Sequence, residues 1–403
     1  MLAYDIAANS ARAVVAGQHW KGSTVERDRL QAIDQEELAD LTARLVSFRS
    51  YPGQEGDVQR AIARWLRDHG LEPRFQATEG DRPNVLARVE NGPGPTLLLN
   101  GHVDTVLEAA GWSSNPWSAR REGDRLYGLG ACDMKAGVAL NMVVARELAR
   151  HRDDWRGTLI FTSVVDEEAY SIGARALVDA NLRADGCVVS EAWFDQPDIG
   201  GTGKVLVRGE VTGKAAHGFW PEQGVNAAVE AARFIARLDE LPLGQHPRIT
   251  ASQCLLSIES GNTQYVITVP EHARFLVSRL IVPGETGETV LAGMEELAAS
   301  LDSPARFAFA IDPPYYPPWE MEPDHPFVRQ FAAAYQAQLG HAPDFGTMTG
   351  VADTNYFAAD LGLPTVMFGP RGGNFHQADE WVDVPSIASA ARVVLRLALD
   401  MLR

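Results

Sequence analysis

His102 and Asp104 stand two residues apart in "NGHVDTV" (100–106), directly after the apolar run Pro95–Leu99. On extended backbone, residues two apart point the same way. The carboxylate can therefore accept from one imidazole nitrogen, fix the tautomer and make the other nitrogen a better metal donor. A surface turn would account for the pair equally well. Asp133, in "YGLGACDMKAGVA" (127–139), opens a helical pattern at Met134; an acid at that place is also what a helix dipole favours. "SVVDEEAYSIGA" (163–174) sets three carboxylates in a row. Partly buried, they need a cation or a proton. Two adjacent acids can then divide the labour, Glu168 as a metal ligand and Glu167 as a base held beside it. An exposed acidic loop is the ordinary alternative. Glu191 in "GCVVSEAW" and His376 in "NFHQADEW" each read, alone, as solvated loop residues.

Their joint placement says more. Four of these five sites fall just past the C-terminal end of an expected apolar strand, the edge where open α/β sheets bind ligands. The set of His, Asp and Glu is what zinc and harder divalent ions take. His217, in "GKAAHGFWPEQGVNA" (213–227), lies elsewhere. It is either a loop histidine before a helix or a donor that stabilises an oxyanion.

The elements that must position these residues follow from periodicity. Asp34 and Glu37 announce a capped amphipathic helix over 34–48, and a second spans 56–70. Strands are expected at 84–89, 96–100, 158–164, 186–190 and 364–368, with helices at 134–149 and 172–180 between them. That alternation predicts an α/β fold with a covered sheet and helices on both faces. The middle of the chain reads β-α-β-β-α-β: strands at 204–213, 249–259, 273–281 and 306–311, with helices at 224–238 and 285–301. It is expected to be an inserted two-layer α+β unit. The Pro-rich "DPPYYPPWEMEP" (312–323) is a candidate hinge after it. The resulting division is an N-terminal extension over 1–30, a catalytic domain over 31–203 and 318–403, and a lid or dimerisation domain over 204–317.

Composition narrows the function classes. The 403 residues are 45% apolar and 22% charged, with a net charge of −17. So acidic a chain, with no basic stripe, is not expected to bind nucleic acid. No apolar run is long enough for a membrane span, and the N-terminus does not read as a signal peptide. Three cysteines, Cys132, Cys187 and Cys254, fit a reducing cytoplasm better than a disulfide framework. There is no P-loop or dinucleotide fingerprint.

The ordered set "GHVDTV" (101–106), "GLGACDMKAG" (128–137), "DEE" (166–168), Glu191, "GKAAHG" (213–218), "VPEHARFLVSRLIVPGET" (269–286) and "HQADEWV" (376–382) resembles the dinuclear-zinc amidohydrolases and exopeptidases. That family includes acetylornithine deacetylase, succinyl-diaminopimelate desuccinylase, aminoacylase-1 and carboxypeptidase G2. The resemblance implies a zinc-exopeptidase-like mixed sheet with an inserted lid, and two Zn2+ ions, for which Co2+ or Mn2+ could substitute. It implies His102, Asp133, Glu168, Glu191 and His376 as ligands, with Asp133 bridging, Asp104 orienting His102 and Glu167 as general acid/base. It further implies His217 reaching in from a lid, in dimeric relatives the partner's, and Arg279 gripping a substrate carboxylate. Two places depart from the family pattern. Ile267 stands where an Asn is expected before "VP", and Asn355 in "GVADTNYF" stands where an Arg often follows the Asp, which removes a second anchor for an anionic substrate. The expected activity is deacetylase-like cleavage of an N-acyl amino acid by a homodimer. A carboxypeptidase or dipeptidase of the same family is the alternative, and a non-catalytic zinc-binding relative stands behind both.

Overall fold

The computed structural model describes residues 30–261 and 266–403. The readings of the N-terminal extension up to residue 29, and of positions 262–265, lie outside the described residues. Two helices come first, α1 (Gln35–Val46) and α2 (Gly56–Asp68). Asp34 caps α1 by accepting from Glu36 N at 2.9 Å. Glu37, expected to close a capping box, instead reaches across to Arg146.

Strands β1 (Pro73–Gln76), β2 (Asn84–Asn91) and β3 (Thr96–His102) follow, then the short β4 (Arg120–Glu122) and β5 (Arg125–Tyr127). A wide turn at Ala131–Lys135 leads into α3 (Ala136–Arg150). Next come β6 (Gly157–Val164), α4 (Ile172–Asp179), β7 (Gly186–Val189) and β8 (Asp198–Gly201). The middle unit is β9 (Gly203–Thr212), α5 (Ala227–Ile235), β10 (Ser252–Ser260), β11 (His272–Ile281), α6 (Gly287–Ala299) and β12 (Arg306–Tyr316). The chain returns through β13 (Trp319–Glu320), α7 (Pro326–Leu339), β14 (Gly346–Met348), β15 (Thr365–Met367), β16 (Gly372–Gly373), β17 (Trp381–Asp383) and α8 (Val384–Met401).

The main sheet runs β1-β2-β6-β3-β7-β15-β8-β13, with β14 on β8. Its centre, β6-β3-β7-β15, is parallel; β1, β2 and β13 join antiparallel at the flanks. The central strands are covered on both faces and read as unbroken apolar runs, and β6 and β7 are buried at every position. One face carries α1, α2, α3, α7 and α8. The other is covered by α4 with Tyr316, Tyr356 and Phe357. Helix α3 is buried from Ala136 to Leu148, on every side rather than along one stripe, with Asn141, Arg146 and Glu147 as its polar members.

The middle unit is a four-stranded antiparallel sheet, β10-β11-β9-β12. Helices α5 and α6 close one face around Phe234, Phe275 and Met294. The Pro-rich stretch expected as a hinge belongs to both sheets. Its first half continues β12 to Tyr316 after a register shift at Asp312, and Trp319–Glu320 pairs with β8. Asn355 staples this crossing. Its side chain donates to Thr202 O and Pro317 O, each at 2.8 Å, and accepts from Ala352 N at 2.9 Å.

Candidate metal centre

The four central strands point the same way, so their C-terminal ends share one edge. Strand β3 ends in His102, and Asp104 lies two residues on. The turn after β6 holds Glu167 and Glu168, and Glu191 comes two residues after β7. The chain leaving β15 reaches His376 in the β16–β17 turn, and Asp133 enters from the turn before α3.

Asp133 stands between the two histidines. Its Oδ1 lies 3.2 Å from His102 Nε2, and its Oδ2 lies 3.2 Å from His376 Nε2. Glu191 Oε1 is 3.5 Å from His102 Nε2, and Glu168 Oε1 is 3.1 Å from His376 Nε2. Two ligand groups result, His102–Asp133–Glu191 and Asp133–Glu168–His376, each with donor atoms within 4.8 Å of one another. Glu167 belongs to neither, and its Oε2 lies 3.9 Å from His102 Nε2.

Asp104 does two jobs. Its Oδ1 is 3.5 Å from His102 Nδ1, while the nearer contact of that nitrogen is Asp104's own carbonyl at 3.1 Å. Its Oδ2 accepts from Glu168 N at 2.9 Å, so one side chain sets both the histidine and the acidic turn. That turn is tight. Asp166 has φ +70°, and its carbonyl accepts from Ala169, Tyr170 and Ser171 N. Arg82 anchors it, with Nη1 at 2.5 Å from Asp166 and 3.0 Å from Glu55. His376 also sits in left-handed backbone, φ +57°, with Asn374 and Asp379 beside it.

The electrostatics are those of an anion-rich hole. Burial, with Glu168, Asp353 and Glu191 close by, holds the Glu167 carboxyl well above its ordinary range. Burial and Asp133 push Glu168 up to about 7, and the same two causes raise Glu191. Hydrogen bonds to Asp133 and Glu168 raise His376 to about 10. Among the described residues no Lys or Arg pairs with Asp133, Glu167, Glu168 or Glu191. Lys204 is near enough to feel the charge of Glu167 but makes no ion pair with it; four carboxylates and two imidazoles converging in this way fit a pair of divalent ions.

Two expected participants lie outside this cluster. His217 is exposed; its Nδ1 accepts from Phe219 N at 3.2 Å, and its ring lies against Phe219 and Trp220. Arg279 is only 4% exposed. Its guanidinium is 2.6 Å from Glu285 and donates to Pro242 O at 2.6 Å and Gln253 Oε1 at 3.4 Å. In this structure Arg279 cross-links the middle unit. Asn355, satisfied by backbone groups, offers no anchor.

Three contributors escaped the sequence reading. Arg82 has no local signal, because its partners lie 27 and 84 residues away. Asp353 was inside a quoted motif, yet its burial was not legible. It is 1% exposed with both carboxylate oxygens unpartnered, and burial beside Asp104 and Glu191 raises it to about 8. Glu380, four residues after His376, accepts from three backbone N–H groups of the Asp133 turn.

Residues 98–400 match the model of Peptidase family M20/M25/M40. A succinyl-diaminopimelate desuccinylase of Methylorubrum populi is 30% identical over 376 residues, which span 88% of this chain and 95% of that protein. One of Cereibacter sphaeroides is 28% identical over 379 residues, spanning 89% and 97%. Among solved structures, the aminopeptidase PepT of Bacillus cereus superposes with a TM-score of 0.77 at 22% identity, over 92% of this chain and 99% of that one. A dinuclear metal binding peptidase of Bacillus subtilis superposes with a TM-score of 0.70 at 18% identity, over 92% and 99%.

Proposed function

The chain belongs to peptidase family M20/M25/M40, and we propose that it hydrolyses the amide bond of an N-acyl amino acid. The observation that carries this reading is the position of Asp133, one oxygen toward each imidazole at 3.2 Å, with Glu167 outside both ligand groups. We assign His102 and Glu191 to one ion, Glu168 and His376 to the other, and Asp133 to both. Zinc is the assigned metal, and cobalt or manganese suit the same donors. Two such ions would polarise the scissile carbonyl and acidify water.

The chain's own groups do the rest. Asp104 holds His102 in one tautomer. Glu167 takes a proton from the water that adds to the carbonyl carbon, and passes it to the nitrogen as the C–N bond breaks. The products are a carboxylic acid and a free amine. His217 supplies a hydrogen bond to the oxyanion from the middle unit of a second copy. In support, β10 is a sheet edge, and Leu256, Ile258, Val266, Phe219 and Trp220 are exposed apolar groups of the same unit. We place the enzyme in the cytoplasm on its three free cysteines. No helix among the described residues is long and apolar enough to cross a membrane.

The test is a screen of zinc-loaded protein against N-acetyl, N-succinyl and N-formyl amino acids together with dipeptides. Hydrolysis of an acylated amino acid is the expected result. Cleavage of dipeptides alone would make the enzyme a carboxypeptidase or dipeptidase. No turnover with zinc, cobalt or manganese would defeat the proposal and leave a non-catalytic relative.

A further inference from the structure

The turn that presents Asp133 cannot satisfy all of its own backbone. Ala131 N and Lys135 N donate to carbonyls of the same stretch, Gly128 O and Gly130 O, but Gly130, Cys132 and Asp133 stand at its start, where N–H groups have no carbonyl one turn back to accept from them. Residue 380 supplies the acceptors. Glu380 Oε2 accepts from Gly130 N at 2.8 Å, and Oε1 accepts from Cys132 N at 2.8 Å and Asp133 N at 3.1 Å. Its carbonyl accepts from Gly128 N at 3.0 Å. The side chain is 1% exposed, and both oxygens only accept. Gly130 takes φ +73°, and a Cβ there would lie 2.4 Å from Thr105 Cγ2, so the turn has little freedom to choose another path.

Glu380 also begins the return from the turn that carries His376. The next residue, Trp381, opens β17 and pairs with Tyr127 on one side and Gly373 on the other. One residue therefore joins the backbone of Asp133 to the hairpin of His376, although 243 positions separate these two ligands in the sequence. We propose that Glu380 is a positioning residue for the metal pair: it holds Asp133 facing both imidazoles before any ion arrives, and fixes the distance between Asp133 and His376. The inference rests on the metal-dependent reading above. Glu380 touches neither ion nor substrate in this role. Groups that orient metal ligands typically carry roughly 10–100-fold of metal affinity.

The experiment uses the full chain, stripped with a chelator and titrated with Zn2+ against a chromophoric competitor, then with Co2+ to read the d–d absorption. Wild type should take two ions. In Glu380→Gln one oxygen becomes an NH2 that meets a backbone N–H, donor to donor. Glu380→Ala leaves three buried N–H groups open. Both variants should bind more weakly, by roughly 10–100-fold, with an altered cobalt spectrum and an unchanged near-UV dichroism. If Glu380→Ala does not fold, the nearly isosteric Gln variant carries the test. Hydrogen exchange of metal-free wild type adds a measurement free of mutation, in which the segment 128–135 should remain protected. A folded Glu380→Gln that binds both ions as wild type does, or a segment 128–135 that exchanges freely in the metal-free protein, overturns the positioning role alone. Wild type that takes up neither zinc nor cobalt overturns the functional reading with it.

Discussion

Asp133 lies against both imidazoles, and the protonation of its neighbours follows from that. With no ion bound, Asp133 and Glu168 keep His376 protonated up to about 10, and burial with Asp133 raises Glu168 to about 7. A folded-state pKa above the unfolded one stabilises the fold below the unfolded value, about 6.5 for His and about 4.3 for Glu, and that stability is lost as pH rises through the folded value. Metal needs both groups deprotonated. The ion-free protein should therefore lose stability from neutral pH upward while the zinc-bound form does not. The rise in Tm on adding saturating zinc should grow from pH 6.5 to 8.5, measured by calorimetry in one buffer series; a rise that shrinks would contradict the ligand set. Glu167→Gln should keep two zinc ions by elemental analysis yet lose about 10²–10⁴-fold in kcat. Activity near wild type would remove Glu167 from the chemistry.

At the scale of elements, the acidic turn is held from outside. Arg82 is 12% exposed at its side chain, between Glu55 at 0% and Asp166 at 3%. Burial and Asp104 already raise Glu55 to about 7. Arg82→Met leaves two buried carboxylates without their cation and should cost about 3–5 kcal/mol in urea unfolding at pH 8. The loss should be smaller at pH 5, because the uncovered carboxyls then take protons. An equal loss at both values would show that shape rather than charge is what Arg82 supplies. The contrast with the strands shows what a sequence exposes. Strands β3, β6, β7 and β15 lay within one or two residues of their apolar runs, because a covered parallel strand is an unbroken apolar segment ended by polar residues. His102, Glu168 and Glu191 were legible for the same reason, since they sit where those runs stop. Glu380 and Arg82 were not, because each works on groups brought near only by the fold. The Glu285 partner of Arg279 was not legible either, because an arginine on a strand looks alike whether it faces a ligand or a carboxylate of its own unit.

For the whole molecule, the question is what covers β10. This edge strand shows Leu256 and Ile258 to solvent at 54% and 49%, a surface that invites pairing with another copy. On the dimeric reading, wild type should sediment as a dimer and a Leu256→Lys/Ile258→Lys variant as a monomer, with its metal content intact and its turnover reduced. If His217 acts across the dimer, Glu167→Gln and His217→Ala, each impaired alone, should regain activity when unfolded and refolded together. Random re-pairing in a two-fold dimer gives about a quarter of wild-type turnover. No recovery in mixed dimers would return His217 to its own chain.

The slot between β7 and β8 carries a last implication. Those strands are neighbours in sequence, yet β15 lies between them, and it is synthesised more than 160 residues after β7. A nascent chain still on the ribosome can finish the middle unit, whose strands are contiguous, while the larger sheet remains open at its centre. His376 emerges later still. The ligand group Asp133–Glu168–His376 is thereby completed only once β15 has filled the gap left for it.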